Sequence, residues 1–207
     1  MEKDIAILIA DLSGYTSLTD SHGAAAAADL IEKYIGILEK SLVGSSRFHQ
    51  RTGDEVLVVS SSADDLLGTA TALIKNTSSE HEFLLVHGGL HYGKILKRNE
   101  DYYGTTINLT SRIAGKASPG TLWCSEDFVK ALMNAEDSRF EAKGKHSFKN
   151  LPSETEVFEL IIDHGETLYI DPVCRMLIRD KANALPHPEN KDVYFCSEAC
   201  LNVYLGK

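Results

Sequence analysis

Two apolar runs, residues 5–10 and 56–59, each end next to an aspartate at a turn. The first leads into Asp11-Leu12-Ser13-Gly14-Tyr15-Thr16, and the second follows Arg51-Thr52-Gly53-Asp54. Short unbroken apolar runs bounded by turn residues read as buried strands. A carboxylate at the tip of each of two adjacent strands makes a paired oxygen site for hard divalent cations such as Mg²⁺. Metal-assisted phosphoryl chemistry needs such a pair. Taken singly, Asp11 is also a plausible helix cap and Asp54 an ordinary hairpin residue. Only their occurrence with other polar motifs distinguishes the readings.

The chain has 207 residues, 43% hydrophobic and 25% charged, enough for one medium domain with a small module attached. A formal net charge of −9 leaves no basic stripe for nucleic acid or an anionic membrane. No stretch reaches the ~20 apolar residues that cross a bilayer. The start, Met1-Glu2-Lys3-Asp4, lacks the basic region of a secretory signal, so a cytoplasmic location is expected. Of four cysteines, Cys174, Cys196 and Cys200 crowd near the C-terminus, which in a reducing compartment suggests metal ligation before disulfides.

The pattern predicts a strand over residues 5–10 and a long helix over about 23–42, with Ile31, Tyr34, Ile35, Leu38 and Leu42 on one face. A hairpin around Gly53 follows, then a helix capped by Ser62 or Asp64. Residues 83–95 read as a long strand or strand pair, 106–117 as a helix, 121–124 as a strand, 126–133 as a short helix and 155–162 as a last strand. His87 and His91 share a strand face and read as packing residues, as does Cys124. This order predicts an α+β, ferredoxin-like sandwich with helices on one sheet face. The pattern breaks at Asp163-His164-Gly165-Glu166, giving two units, 1–163 and 169–207.

A third motif, Asp101-Tyr102-Tyr103-Gly104-Thr105-Thr106-Ile107-Asn108-Leu109-Thr110-Ser111-Arg112, sets Asn108 and Arg112 four apart on one helix face. An amide and a guanidinium aimed at one point can stabilise charge developing on a phosphate. A fourth, Gly144-Lys145-His146-Ser147-Phe148-Lys149-Asn150-Leu151, offers cations before the last strand. Over residues 4–162 these pieces, in this order, resemble the catalytic domain of class III adenylate and guanylate cyclases. The resemblance implies Asp11 and Asp54 as ligands of two Mg²⁺ or Mn²⁺ ions, Asn108 and Arg112 as the transition-state pair, and Lys149 on the terminal phosphates. It implies Asp101 as base reader and a head-to-tail homodimer in which each site draws on both subunits. Backbone N–H groups of Leu12, Ser13, Gly14, Tyr15 and Thr16 can cradle phosphate oxygens. The family's adenine-selecting lysine is replaced by Gln50, whose amide can donate to adenine N1 or accept from guanine N1. ATP is the expected substrate, with GTP open.

Two alternatives stand beside this reading. One is a catalytically silent cyclase-like nucleotide sensor or dimerisation module, which Gln50 keeps in view. The other rests on Thr52-Gly53-Asp54-Glu55, which is similar to the hairpin of diguanylate cyclases but comes without their remaining pattern. The tail's Asp-Pro-Val-Cys opening at Asp171 and its Phe195-Cys196-Ser197-Glu198-Ala199-Cys200 close resemble a YHS domain, a small treble-clef-like module, with Arg175 where a glycine is usual. Three thiolates suit Zn²⁺ or Cu⁺, with His187 a candidate fourth ligand and regulation of the cyclase a candidate role.

Overall fold

A computed structural model describes residues 2–99, 101–149, 151, 153–163 and 169–207. Among these, one sheet has the order β2-β3-β1-β4-β6-β8-β7. Its strands are β1 (Glu2–Leu12), β2 (Arg47–Thr52), β3 (Glu55–Ser60), β4 (Val86–Arg98), β6 (Leu122–Ser125), β7 (Phe140–His146) and β8 (Thr155–Leu160). A short strand, β5 (Asp101–Tyr103), pairs with β4 off this path. All pairings are antiparallel except β4 with β6.

The helices are α1 (Tyr15–Ser41), α2 (Ala63–Ser79), α3 (Thr105–Ala114) and α4 (Glu126–Lys130). Alternation along β1 decides what each sheet face meets. Ala6, Leu8 and Ala10 join Leu30, Tyr34, Leu66, Leu73 and Phe128 in one core, under α1, α2 and α4. Ile5, Ile7 and Ile9 point the other way, into a second core with Leu57, Val59 and Ala114 of α3. The expectation of helices on one face is therefore corrected: α3 covers the opposite face.

Glycine in β4 makes that docking possible. A Cβ on Gly89 would lie 2.4 Å from the Ala114 nitrogen and 2.5 Å from the Thr110 carbonyl oxygen, so α3 rests directly on the strand. Gly89→Ala is expected to destabilise the fold by ~2 kcal/mol, within the range for overpacking, with a lower Tm as the measurement.

Two further corrections concern α1 and the edge strands. The long helix starts at Tyr15, not near residue 23, and Gly23 interrupts it with φ 86 and ψ 166. That left-handed φ is one a glycine adopts without strain. The five alanines after Gly23 read as the start of the helix, because they propagate it so readily, so the segment 15–22 before the break was missed. Strands β5 and β7 escaped prediction because both are mostly solvent-facing edges without apolar alternation. Elsewhere the match is close: Ser62, not Asp64, caps α2, its hydroxyl accepting from the Asp65 N–H at 3.2 Å.

The predicted boundary at 163–166 falls partly on residues 164–168, which lie outside the described residues. Beyond it come the hairpin β9 (Tyr169–Ile170) with β10 (Leu177–Ile178), the hairpin β11 (Leu185–Pro186) with β12 (Tyr194–Phe195), and helix α5 (Glu198–Tyr204). This tail lies against the larger unit. Leu84 bridges Met176, the Leu177 N–H donates to the Phe83 carbonyl at 2.7 Å, and Met176 packs on the main core. A small module with little apolar mass thus borrows a neighbour's core. Among the described residues no helix is long and apolar enough to cross a membrane.

Candidate active site

Asp11 and Asp54 meet although they lie 43 positions apart in sequence. Strand β1 carries Asp11 to the end of the α3 face, in register with His87 of β4. The β2–β3 hairpin closes between Thr52 and Glu55, which puts Gly53 and Asp54 in its turn. Gly53 takes φ 64 there, the left-handed conformation that such tight turns require. The two carboxyls lie close enough to share a hydrogen bond.

Their electrostatics are unfavourable as they stand. Burial, and after it the neighbouring Asp11, push the Asp54 carboxyl up to about 6. Asp11 is raised too, chiefly by burial, although its contact with Asp54 opposes the shift. Glu55 is raised by burial and by the charge of Asp54. One oxygen of Asp11, Oδ1, is buried with no hydrogen-bond partner among the described residues. A buried carboxylate oxygen in that position lacks a cation or donor, which is where a divalent ion fits.

Next to the pair, the chain turns through Ser13 and Gly14 into α1. The Ser13 N–H donates to the Leu85 carbonyl at 2.8 Å, tying the turn to the segment before β4. Gly14 takes φ 97 as the N-cap of α1, with no side-chain cap. The first N–H groups of the helix, at Tyr15, Thr16 and Ser17, therefore have no intrahelical acceptor. Leu12 is buried, Ser13, Gly14 and Tyr15 are half-buried, and Thr16 is exposed.

The structure adds His87, read from sequence as a packing residue, to this neighbourhood. Its Nδ1 lies 2.9 Å from the Ser13 hydroxyl. Burial lowers its pKa while the charge of Asp54 pulls it upward, so it faces the carboxylate group. No local motif marks it; only the antiparallel register with Asp11 does. His91, by contrast, is buried, with Nδ1 2.6 Å from the Ser125 hydroxyl. Cys124 is buried as expected, and burial pushes its thiol up to about 12.

The other predicted residues do not join Asp11 and Asp54 within one chain. Asn108 is exposed and Arg112 half-buried, four apart on α3, and neither side chain has a hydrogen bond or ion pair among the described residues. Asp101, exposed on β5, accepts from the Tyr103 hydroxyl at 3.4 Å. Gln50 is exposed on β2, beside a register shift. The neighbours of these two meet: His49 and Tyr102 contact edge to face, with ring centroids 4.8 Å apart. Lys149 is exposed beyond β7.

The tail reaches the same turn. Arg175 takes φ 68, and a Cβ on Gly14 would lie 2.4 Å from both its Cβ and Cγ. Its aliphatic stem thus covers Gly14. Cys174, Cys196 and Cys200 come together, and the histidine that joins them is His22 of α1. The candidate His187 is corrected: its ring meets Phe195 at a tilt and Tyr204 edge to face, and its Nδ1 accepts from the backbone N–H groups of Glu189 and Asn190 at 3.1 Å. His22 lies more than 150 residues before Cys174, so no spacing rule could have found it.

Residues 1–162 match the family described as the adenylate and guanylate cyclase catalytic domain. The chain belongs to this family. An adenylate cyclase of Glutamicibacter nicotianae is 28% identical over 172 residues, which is 80% of this chain and 41% of that protein. An uncharacterised protein of Mycobacterium bovis is 30% identical over 152 residues, 73% of this chain and 39% of that protein. The chain thus spans about two fifths of the length of these curated relatives. Among solved structures, the adenylyl cyclase CyaB from P. aeruginosa superimposes with a TM-score of 0.67 at 16% identity, covering 81% of this chain and 98% of that one. A dimeric guanylyl cyclase domain from Blastocladiella emersonii gives 0.64 at 15% identity, covering 78% and 98%. These likenesses support a mixed α+β cyclase fold.

Proposed function

We propose that the protein is a nucleotidyl cyclase that converts a nucleoside triphosphate, with ATP preferred, to a 3′,5′-cyclic nucleotide and pyrophosphate. The observation that carries this reading is the half-buried Asp11–Asp54 pair with its unpartnered oxygen, set beside the Gly14 turn. Asp11 and Asp54 would hold two Mg²⁺ or Mn²⁺ ions. When bound, the ions neutralise the carboxylates, acidify the ribose 3′-hydroxyl and draw charge from the phosphates.

The chain's own residues supply the rest. N–H groups of the turn from Leu12 to Thr16 orient the phosphates, and Lys149, beyond β7, binds their terminal end. Asn108 and Arg112 donate to the α-phosphoryl oxygens, most strongly as charge builds there. The 3′ oxygen bonds to the α phosphorus, the bond to the bridging oxygen breaks, pyrophosphate leaves, and the 3′ proton passes to water. Among the described residues Asn108 and Arg112 have no side-chain partners, which favours a homodimer that sets them against the carboxylates of the other subunit.

Asp101 accepts from the adenine amine and Gln50 donates to N1. A lysine at position 50 can only donate, so Gln50→Lys is expected to raise the ATP:GTP preference about tenfold, read as a ratio of kcat/KM.

The deciding experiment is incubation of the protein with Mn²⁺ and ATP or GTP, beside Asp54→Ala. Cyclic product from the parent and none from the variant supports the reading. A parent that binds ATP without turnover would instead indicate a nucleotide sensor, the reading that Gln50 keeps in view.

A further inference from the structure

We propose that His22, Cys174, Cys196 and Cys200 form a tetrahedral site for a thiophilic divalent ion of the Zn²⁺ class, and that the ion clasps the tail to the first segment of α1. This goes beyond the cyclase reading and does not depend on it.

The distances carry the argument. Cys174 Sγ lies 3.5 Å from Cys196 Sγ, and Cys196 Sγ lies 3.7 Å from Cys200 Sγ. His22 Nε2 lies 3.6 Å from Cys196 Sγ and 3.5 Å from Cys200 Sγ. All four ligand atoms fall within 4.8 Å of one another. Around zinc, with Zn–S ≈ 2.3 Å and Zn–N ≈ 2.0–2.1 Å, the edges of a regular tetrahedron are about 3.8 Å for S···S and about 3.6 Å for S···N. These four separations match those edges. They are far longer than the ~2.05 Å of a disulfide, and all four cysteines are free.

The surroundings are organised for the same purpose. Asp171 is fully buried; its Oδ1 accepts from the Val173 and Cys174 N–H groups at 2.7 and 3.2 Å. Its Oδ2 accepts from the Cys196 N–H at 2.8 Å. One carboxylate thus fixes both loops that present thiols. Ser197 caps α5 by accepting from the Cys200 N–H at 3.3 Å, which sets the third sulfur. A cavity of about 370 Å³, lined by Leu18, His22, Met176 and Cys196 among others, gives an ion access from solvent. The tail alone offers three ligands, so the clasp closes only when the catalytic unit donates His22.

The test uses the full chain, reduced and free of chelator-bound metal, titrated with Co²⁺ and then Zn²⁺. One Co²⁺ per chain with thiolate-to-cobalt absorption, displaced by one Zn²⁺, is the expected result. His22→Ala is expected to weaken Co²⁺ binding about 100-fold, since even losing a partner behind a ligand costs about 10- to 100-fold. His22→Cys is expected to restore binding with added thiolate absorption, which a merely misfolded variant would not show. His187→Ala and Asp54→Ala are expected to leave the thiolate-to-cobalt absorption titration unchanged, so an inactive cyclase assay leaves this test intact. Absence of thiolate absorption, or a His22→Ala titration identical to the parent's, overturns the proposal.

Discussion

Mixing Asp54→Ala protein with Arg112→Ala protein is expected to restore about a quarter of parental cyclase activity, although each variant alone is inactive. Alone, each is expected to lose about a thousandfold in kcat, the upper range for removing a group that stabilises developing charge. The recovery follows from a site shared between subunits. After random exchange, half of the dimers hold one of each variant. In such a dimer one site combines both lesions, and the other combines an intact carboxylate pair with an intact Asn108 and Arg112. One working site in two, in half of the dimers, gives the quarter. Recovery near zero after verified exchange would mean that each chain builds its own site, against the absence of side-chain partners for Asn108 and Arg112 among the described residues.

Asp54→Asn should make the metal-free protein more stable while abolishing turnover. Burial and Asp11 hold the Asp54 carboxyl near 6, above its ordinary value of 3.8, so the ionised form is disfavoured in the fold. At face value that difference costs about 3 kcal/mol at neutral pH, and solvent screening at a half-exposed turn reduces it to ~1 kcal/mol. For a raised carboxylate the penalty is present above the folded value and vanishes below the unfolded one. Metal-free parent protein should therefore gain stability as pH falls from 7 through about 6 toward 4, in chelator-containing denaturant titrations. The asparagine variant should lack this rise and start about 1 kcal/mol higher, roughly 2–4 °C in Tm. Added Mn²⁺ should raise the parent's Tm and leave the variant's nearly unchanged. A variant less stable than the parent at pH 7 would show that the carboxylates do not oppose each other.

Much of the catalytic unit was legible because its signals are local. Apolar runs flanked by Asp11 and Asp54 name two strands and their tips, and the four-residue step from Asn108 to Arg112 names a helix face. What remained hidden depends on contacts between distant segments. His87 acquires its place only from the β1–β4 register, and His22 from the docking of a tail more than 150 residues away. The double-sided sheet was missed because residues 83–95 read simply as strand, whereas Gly89 and Gly93 leave room for α3 against it. Residues 15–22 were left out of the helix because the alanine-rich run after Gly23 reports propensity, whereas the join across Gly23 is a matter of backbone dihedral angles.

That interruption has a mechanical consequence. The stretch between Gly14 and Gly23 is a short rigid rod, about 12 Å long at 1.5 Å per residue, with a pivot at each end. Any force applied at its far tip, where His22 stands, is transmitted as a tilt to the near tip, where the carboxylates begin. Filling Gly23 with a bulkier, stiffer residue would weld the rod to the rest of the helix and silence that lever.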